Sequence, residues 1–149
     1  VAIISPFCQN WRMVPSEEKG KLVLVIDDDD GVRELLLFLV KKEGFRAEGA
    51  FDGEDGHQKA ERLKPDLIVL DLMLPRYGGF ELLRQLQSTE LSKVPIIVIT
   101  GRYTDRATAD MIRQESNVVD FLEKPVKQNV LTAALRRLLD ASGAAPEPS

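Results

Sequence analysis

A chain of 149 residues, 44% apolar and 30% charged, has room for one domain with a real core and little room for a second. Its net charge is −4, and its only adjacent basic pairs are Lys41–Lys42 and Arg136–Arg137, so direct nucleic-acid binding is not expected. The single cysteine, Cys8, excludes an internal disulfide and a thiolate metal site, and the single histidine, His57, excludes a histidine-based one. Any metal must then be a hard cation held by oxygen, such as Mg²⁺, Mn²⁺ or Ca²⁺. The early apolar run Val1–Ile4 is cut by Pro6 and is too short for a signal peptide or a membrane span, so the expected compartment is the cytoplasm.

Residues 1–20 lack periodicity and read as an irregular extension that packs loosely at most, through Trp11. The domain proper is expected over residues 21–141, followed by a small, Pro-containing tail or truncated linker over 142–149. Leu22–Ile26 is a continuous apolar run suited to a strand covered on both faces. Val32, Leu35, Leu36, Leu39 and Val40 then follow helical spacing, with Gly44 as the stop. Phe45–Ala50 alternates, as an edge strand does, and a weaker helix over about Glu54–Leu63 precedes Pro65. Leu67–Leu70 and Ile96–Ile99 are two more buried strands, with Phe80, Leu83 and Leu86 marking a helix between them. A polar helix is expected over about Asp105–Glu115, with Asn117 in the left-handed position behind it. Val118–Leu122 reads as the fifth strand, and Leu131, Ala134, Leu135 and Leu138 line the last helix.

Strands alternating with helices across short loops imply an α/β, doubly wound, five-stranded parallel sheet with helices on both faces. The most apolar strands (first, third and fourth) belong in the centre and the alternating second at an edge, which gives the order 2-1-3-4-5. A ligand site is then expected at the carboxyl ends of the strands, near the first and third. At that rim the sequence places Asp27 to Asp30 after the first strand, Asp71 after the third, Thr100 after the fourth and Glu123–Lys124–Pro125 after the fifth. Carboxylates about 4 Å apart repel by roughly 4 kcal/mol at a surface-like dielectric, and a hard cation relieves this in a solvent-facing cleft. Mg²⁺ accepts few carboxylates and leaves places for a phosphate oxygen, so the set suits phosphoryl transfer to a carboxylate.

Four stretches, VLVIDDDDGVRELL, PDLIVLDLMLPRYGGFELLRQL, VPIIVITG and VVDFLEKPV, resemble in order and spacing the signature segments of the receiver domains of two-component response regulators, over about Lys21 to Ala141. The resemblance implies a flavodoxin-like fold and a switch activated when Asp71 accepts a phosphoryl group, with Mg²⁺ as cofactor. It makes Asp28 the direct metal ligand, Asp27 a ligand largely through water, and the backbone carbonyl of Met73 a further ligand alongside Asp71. Thr100 would bond the phosphoryl oxygen, and Lys124, before a cis Pro125, would pair first with Asp71 and then with the phosphate. Phe121 stands where an aromatic swings inward on activation. The implied partners are a sensor histidine kinase or phosphotransfer protein upstream, and a downstream protein that reads the fourth helix, fifth strand and fifth helix. Such a chain turns over no external substrate and catalyses only its own modification and reset.

Three departures from the family pattern stand out. Gly101 replaces a common Ala and loosens its loop, and Gly78 replaces a frequent Asp. Val119 replaces an Asp used in dimer contacts by a large DNA-binding subfamily, which speaks against that mode of dimerisation. Asp29 and Asp30 read as solvated helix-start residues, and His57 as a solvated residue of a polar helix. The main rival is a haloacid-dehalogenase-type phosphatase with Asp28 as nucleophile and Asp30 as acid/base. It lacks an acidic pair suitably placed after Lys124 and leaves Asp71 without a role. A flavodoxin-like cofactor binder would need a hydroxyl- and glycine-rich phosphate loop where four aspartates stand. A degenerate receiver, binding partners without phosphorylation, is opposed by the complete set of site residues.

Overall fold

The computed structural model describes residues 20–74, 79–101, 106–114 and 117–140. The expected N-terminal extension with Trp11, the tail and the departure at Gly78 fall outside the described residues.

The strands are β1 (Leu22–Ile26), β2 (Arg46–Ala50), β3 (Leu67–Asp71), β4 (Ile96–Thr100) and β5 (Val118–Glu123). Between and after them come α1 (Asp30–Lys42), α2 (Gly53–Leu63), α3 (Gly79–Gln87), α4 (Arg106–Arg113) and α5 (Gln128–Leu135). All strand pairs are parallel, and the order is β2-β1-β3-β4-β5, as expected from the apolar contrast between strands. Every residue of β1, β3 and β4 is buried, whereas β2 alternates and is sealed only at Ala50.

The period of two along each central strand divides the core into two layers. Leu24, Ile26, Ile68, Leu70, Ile96 and Val98 face Ala60 of α2, Leu82, Leu83 and Leu86 of α3, and Ile112 of α4. Val23, Val25, Leu67, Val69, Ile97 and Ile99 face Leu36, Leu39 and Val40 of α1 and Leu131, Ala134 and Leu135 of α5. An unbroken apolar strand is therefore required, because both faces are dry. At Gly56 the approach of α2 to the sheet is so close that a Cβ would lie 2.7 Å from Ile26 Cδ1. No helix among the described residues is long and apolar enough to cross a membrane.

The ends of the helices follow local chemistry. Asp29 caps α1 by accepting from the Val32 N–H, and Asp52 caps α2 through the Asp55 N–H. Gly44 closes α1 at φ +96°, where glycine avoids the Cβ clash. Lys64 ends α2 in the left-handed region at φ 50°, and Pro65 behind it cannot continue the helix. A short 3₁₀ turn, Glu90–Lys93, leads into β4, and a π turn, Arg136–Asp140, extends α5. Neither was expected from the sequence.

Two expectations need correction. Asn117 does not adopt a positive φ: among the described residues only Lys64 and Gly44 do. It is buried instead, with Nδ2 donating to the Val94 carbonyl at 2.9 Å, Oδ1 accepting from Gln87 Nε2, and its backbone carbonyl accepting from Ile96 N at 2.7 Å. It thus ties the starts of β4 and β5 to the end of α3. Asn117→Ala strands the Val94 carbonyl in the interior and is expected to lower stability by about 1–3 kcal/mol, read as a shift in the urea midpoint at unchanged slope. The second correction is His57, which is half-buried rather than solvated, with Nε2 shielded from water 3.4 Å from Glu61.

Candidate functional site

Parallel register fixes which strand ends become neighbours. Ile26 pairs with Ala50 and Leu70, Asp71 with Ile99, and Thr100 with Glu123. The residues at and just beyond the carboxyl ends of β1, β3, β4 and β5 therefore share one rim. Asp27, Asp71 and Thr100 are buried there, although each is polar. A polar group in that position needs partners.

Lys124 reaches across the rim. Its Nζ lies 3.2 Å from Asp71 Oδ2 and 3.1 Å from Asp27 Oδ2. The Asp71 contact is a hydrogen bond, whereas the Asp27 contact is an ion pair without hydrogen-bond angles, so Asp27 Oδ2 is buried with no hydrogen bond. The other oxygens are pinned by the backbone: Asp27 Oδ1 accepts from Asp29 N at 2.9 Å, and Asp71 Oδ1 from Met73 N at 3.1 Å. Thr100 Oγ1 donates to the Gly101 carbonyl at 3.2 Å. The Lys124–Pro125 peptide is cis.

Burial pushes the Asp27 carboxyl above its ordinary value of 3.8, and the charge of Asp71 adds to that, while the Asp29 N–H and Lys124 pull the other way. Burial alone would lower the Lys124 ammonium, but the two carboxylates outweigh it and hold its pKa above 10.5. The site is thus an acidic cleft in which one ammonium is shared between two carboxylates.

Asp28 is exposed, and one carboxylate oxygen from each of Asp27, Asp28 and Asp71 lies within 4.8 Å of the others. An all-oxygen donor set, one of whose carboxylates keeps a buried oxygen without a hydrogen bond, fits a hard divalent cation. Met73 sits beside this set with an exposed side chain, and its amide is bound to Asp71. Asp30 is not in the set: its carboxylate is held by Arg33. Phe121 is half-buried against the core layer that contains Ile68 and Leu82, and the Arg113 guanidinium lies 4.6 Å from its ring centroid.

Asp27, Asp28, Asp71, Thr100 and Lys124 thus meet at one rim, and Phe121 lies on β5 three residues before Lys124. Arg33 was not expected there; it donates to the Asp27 backbone carbonyl at 2.8 Å. The only local signal was an Asp30–Arg33 pair spaced i,i+3.

The family profile described as the response regulator receiver domain matches residues 23–136. The transcriptional regulatory protein AfsQ1 of Streptomyces coelicolor is 39% identical over 117 residues, covering 78% of this chain and 50% of AfsQ1. This chain therefore spans about half the length of the curated relatives it matches. The crystal structure of a response regulator receiver protein from Pseudomonas putida superposes with a TM-score of 0.75 at 32% identity, covering 79% of this chain and 97% of that one. The receiver domain of sensor histidine kinase PA1611 from Pseudomonas aeruginosa, solved with magnesium coordinated in its active-site cleft, superposes with a TM-score of 0.72 at 25% identity over 82% of this chain and 99% of that one. Fold, rim and family profile agree: this chain belongs to the response regulator receiver domain family, the phosphorylation-activated switches of two-component signalling.

Proposed function

We propose that Asp71 is the phosphoacceptor, that Asp27, Asp28, Asp71 and the Met73 backbone carbonyl hold Mg²⁺, and that Thr100 and Lys124 bind the incoming phosphoryl oxygens. The observation that carries this reading is the shared ammonium: Lys124 sits at ion-pair distance from Asp71 and Asp27, beside the buried Thr100 hydroxyl. Mg²⁺ supplies neutralisation of the carboxylate and phosphoryl charge. The chain's own residues do the rest. A carboxylate oxygen of Asp71 forms a bond to phosphorus as the bond from phosphorus to the donor's leaving group breaks, giving an acyl phosphate. Lys124 then exchanges one carboxylate contact for a phosphoryl oxygen, and Thr100 turns its hydroxyl from the Gly101 carbonyl to another.

The natural donor in this reading is the phosphohistidine of a cytoplasmic sensor kinase or phosphotransfer protein. An apolar groove of about 530 Å³ beside Lys124, lined by Val32, Leu35, Leu36, Pro125 and Val126, offers that donor a surface, with Leu35 and Phe38 exposed nearby. The chain modifies only itself, so it is a switch and not an enzyme acting on external substrate. Phe121 couples the site to a downstream protein that reads α4, β5 and α5, where Met111, Val119 and Val130 are exposed. Direct nucleic-acid binding by this chain is not part of this reading, because a net charge of −4 disfavours a phosphate partner. The phosphatase alternative is disfavoured because Asp30 is held by Arg33 outside the carboxylate cluster, while Asp71 lies within it.

Incubation with fresh acetyl phosphate and Mg²⁺ is expected to add the mass of one phosphoryl group, and chelation is expected to prevent it. Fluoroberyllate is expected to bind only with Mg²⁺ present. A wild-type chain that takes up no phosphoryl group from fresh donor with Mg²⁺ and binds no fluoroberyllate refutes the active-receiver reading and favours a degenerate one.

A further inference from the structure

Arg33 lies behind the acidic rim and belongs to none of the roles above. It is one turn into α1, yet its side chain is only 15% exposed. Its Nη1 donates to the Asp27 backbone carbonyl at 2.8 Å, and its Nη2 binds the Asp30 carboxylate. The aliphatic stem crosses β2 at Gly49, where a Cβ would lie 3.2 Å from Arg33 Cδ and 3.1 Å from Leu37 Cδ1. The missing side chain at Gly49 is what leaves the path open.

The consequence falls on one peptide plane. Asp27 N donates to the Ala50 carbonyl at 3.1 Å, and Asp27 Oδ1 is bound by Asp29 N. The Asp27 carbonyl and the Asp28 N–H belong to the same rigid amide, so a donor on that carbonyl sets the plane from which the Asp28 side chain leaves. A guanidinium is a planar fork, and with one arm on Asp27 and the other on Asp30 it resists rotation better than a single donor does.

We propose that Arg33 is a positioning residue for the divalent-cation site, holding the Asp27–Asp28 peptide so that both carboxylates face Asp71. This rests on the receiver reading of the site. Arg33 touches neither the cation nor the phosphoryl group; it acts through the backbone, as groups behind metal ligands do.

The test is Mg²⁺ titration by calorimetry, together with the acetyl phosphate rate as a function of Mg²⁺ concentration. Arg33→Gln is expected to weaken Mg²⁺ binding about tenfold, at the lower end of what loss of a group behind a ligand produces. At saturating Mg²⁺ the rate is expected to return to within about twofold of wild type, because the acceptor and its direct partners are untouched. Arg33→Lys is expected to recover part of the affinity, since one ammonium donor replaces one arm of the fork. Gly49→Ala, which crowds the stem without removing a polar group, is expected to weaken Mg²⁺ binding in the wild-type background and to add nothing to Arg33→Gln. An Arg33→Gln chain with a lowered melting temperature but a wild-type Mg²⁺ Kd has lost packing only, and that result overturns the proposal. Full additivity of the two substitutions also overturns it. The parallel wild-type titration separates the two readings: a wild type that binds no Mg²⁺ and takes no phosphoryl group refutes the receiver reading itself, whereas normal wild-type behaviour with unaltered variants refutes only the role of Arg33.

Discussion

Asp71→Asn is expected to take up no phosphoryl group from acetyl phosphate at any Mg²⁺ concentration, while remaining folded. The loss is chemical. An amide oxygen carries no negative charge and does not form an acyl phosphate, so nucleophilic catalysis at this position ends with the carboxylate. The fold has less at stake. Asn fills nearly the same volume at a buried position beside Lys124, its amide oxygen still accepts from the Met73 N–H, and one source of repulsion on Asp27 disappears. The variant is therefore expected to melt within a few degrees of wild type in the absence of Mg²⁺, because a lost ammonium contact and a relieved carboxylate repulsion oppose each other. Intact-mass spectrometry after donor treatment reads the first effect and a thermal melt reads the second. A phosphoryl mass on the Asp71→Asn chain would move the acceptor to Asp27 or Asp28 and reopen the phosphatase alternative. Asp28→Asn serves as the contrast: it changes an exposed member of the cluster and should weaken Mg²⁺ binding while leaving Asp71 able to react at higher Mg²⁺.

The acceptor was legible because a doubly covered strand announces itself twice. Leu67–Leu70 is apolar at every position, so it must be central, and a central parallel strand delivers its next residue to the ligand rim. The same logic located Asp27 and Thr100, Lys124 followed from the end of the fifth strand, and the contrast between the three most apolar strands and the alternating β2 set the strand order. Asn117 failed for the opposite reason. Its partners are Val94, Ile96 and Gln87, up to 30 positions away, and they meet it only in the tertiary fold, next to a register shift between β4 and β5 at Ile96/Ile97. A local rule about helix ends had nothing to say about that bulge. Arg33 was missed similarly: its anchor is a carbonyl six positions earlier in chain order, and carbonyls carry no sequence signature. Periodicity records which face a residue presents. It does not record which backbone group a side chain reaches once the layers have closed.

Lys124→Ala is expected to lower metal-free stability and to make it depend more steeply on pH. Breaking a buried ion pair typically costs about 3–5 kcal/mol, but the Lys124 side chain is 26% exposed, so solvent screening reduces this to about 1–3 kcal/mol. The sign of the pH dependence follows from the two groups involved. Lys124 is raised above 10.5 in the folded chain, so its contribution is fully present at neutral pH and is lost only as pH rises through that raised value. Asp27 is raised above 3.8, so its contribution runs the other way: stability is greatest below 3.8 and falls as pH rises through the folded value. Removing Lys124 removes one of the two influences that restrain Asp27, which extends that fall to higher pH. The gap between the melting temperatures of wild type and variant should therefore widen as pH rises from below 3.8 through the folded Asp27 value without Mg²⁺. Saturating Mg²⁺ should narrow it, because a cation that binds only the folded chain stabilises in proportion to its affinity, and the variant no longer has an ammonium competing for Asp27 and Asp71. Phosphoryl uptake should remain about 10²-fold slower even then, since a charged donor to the transferring group has been lost and the metal does not replace it. A melting gap insensitive to both pH and Mg²⁺ would mean that Lys124 stabilises by packing its stem against the cis Pro125 turn, leaving the shared-ammonium account of the rim without support.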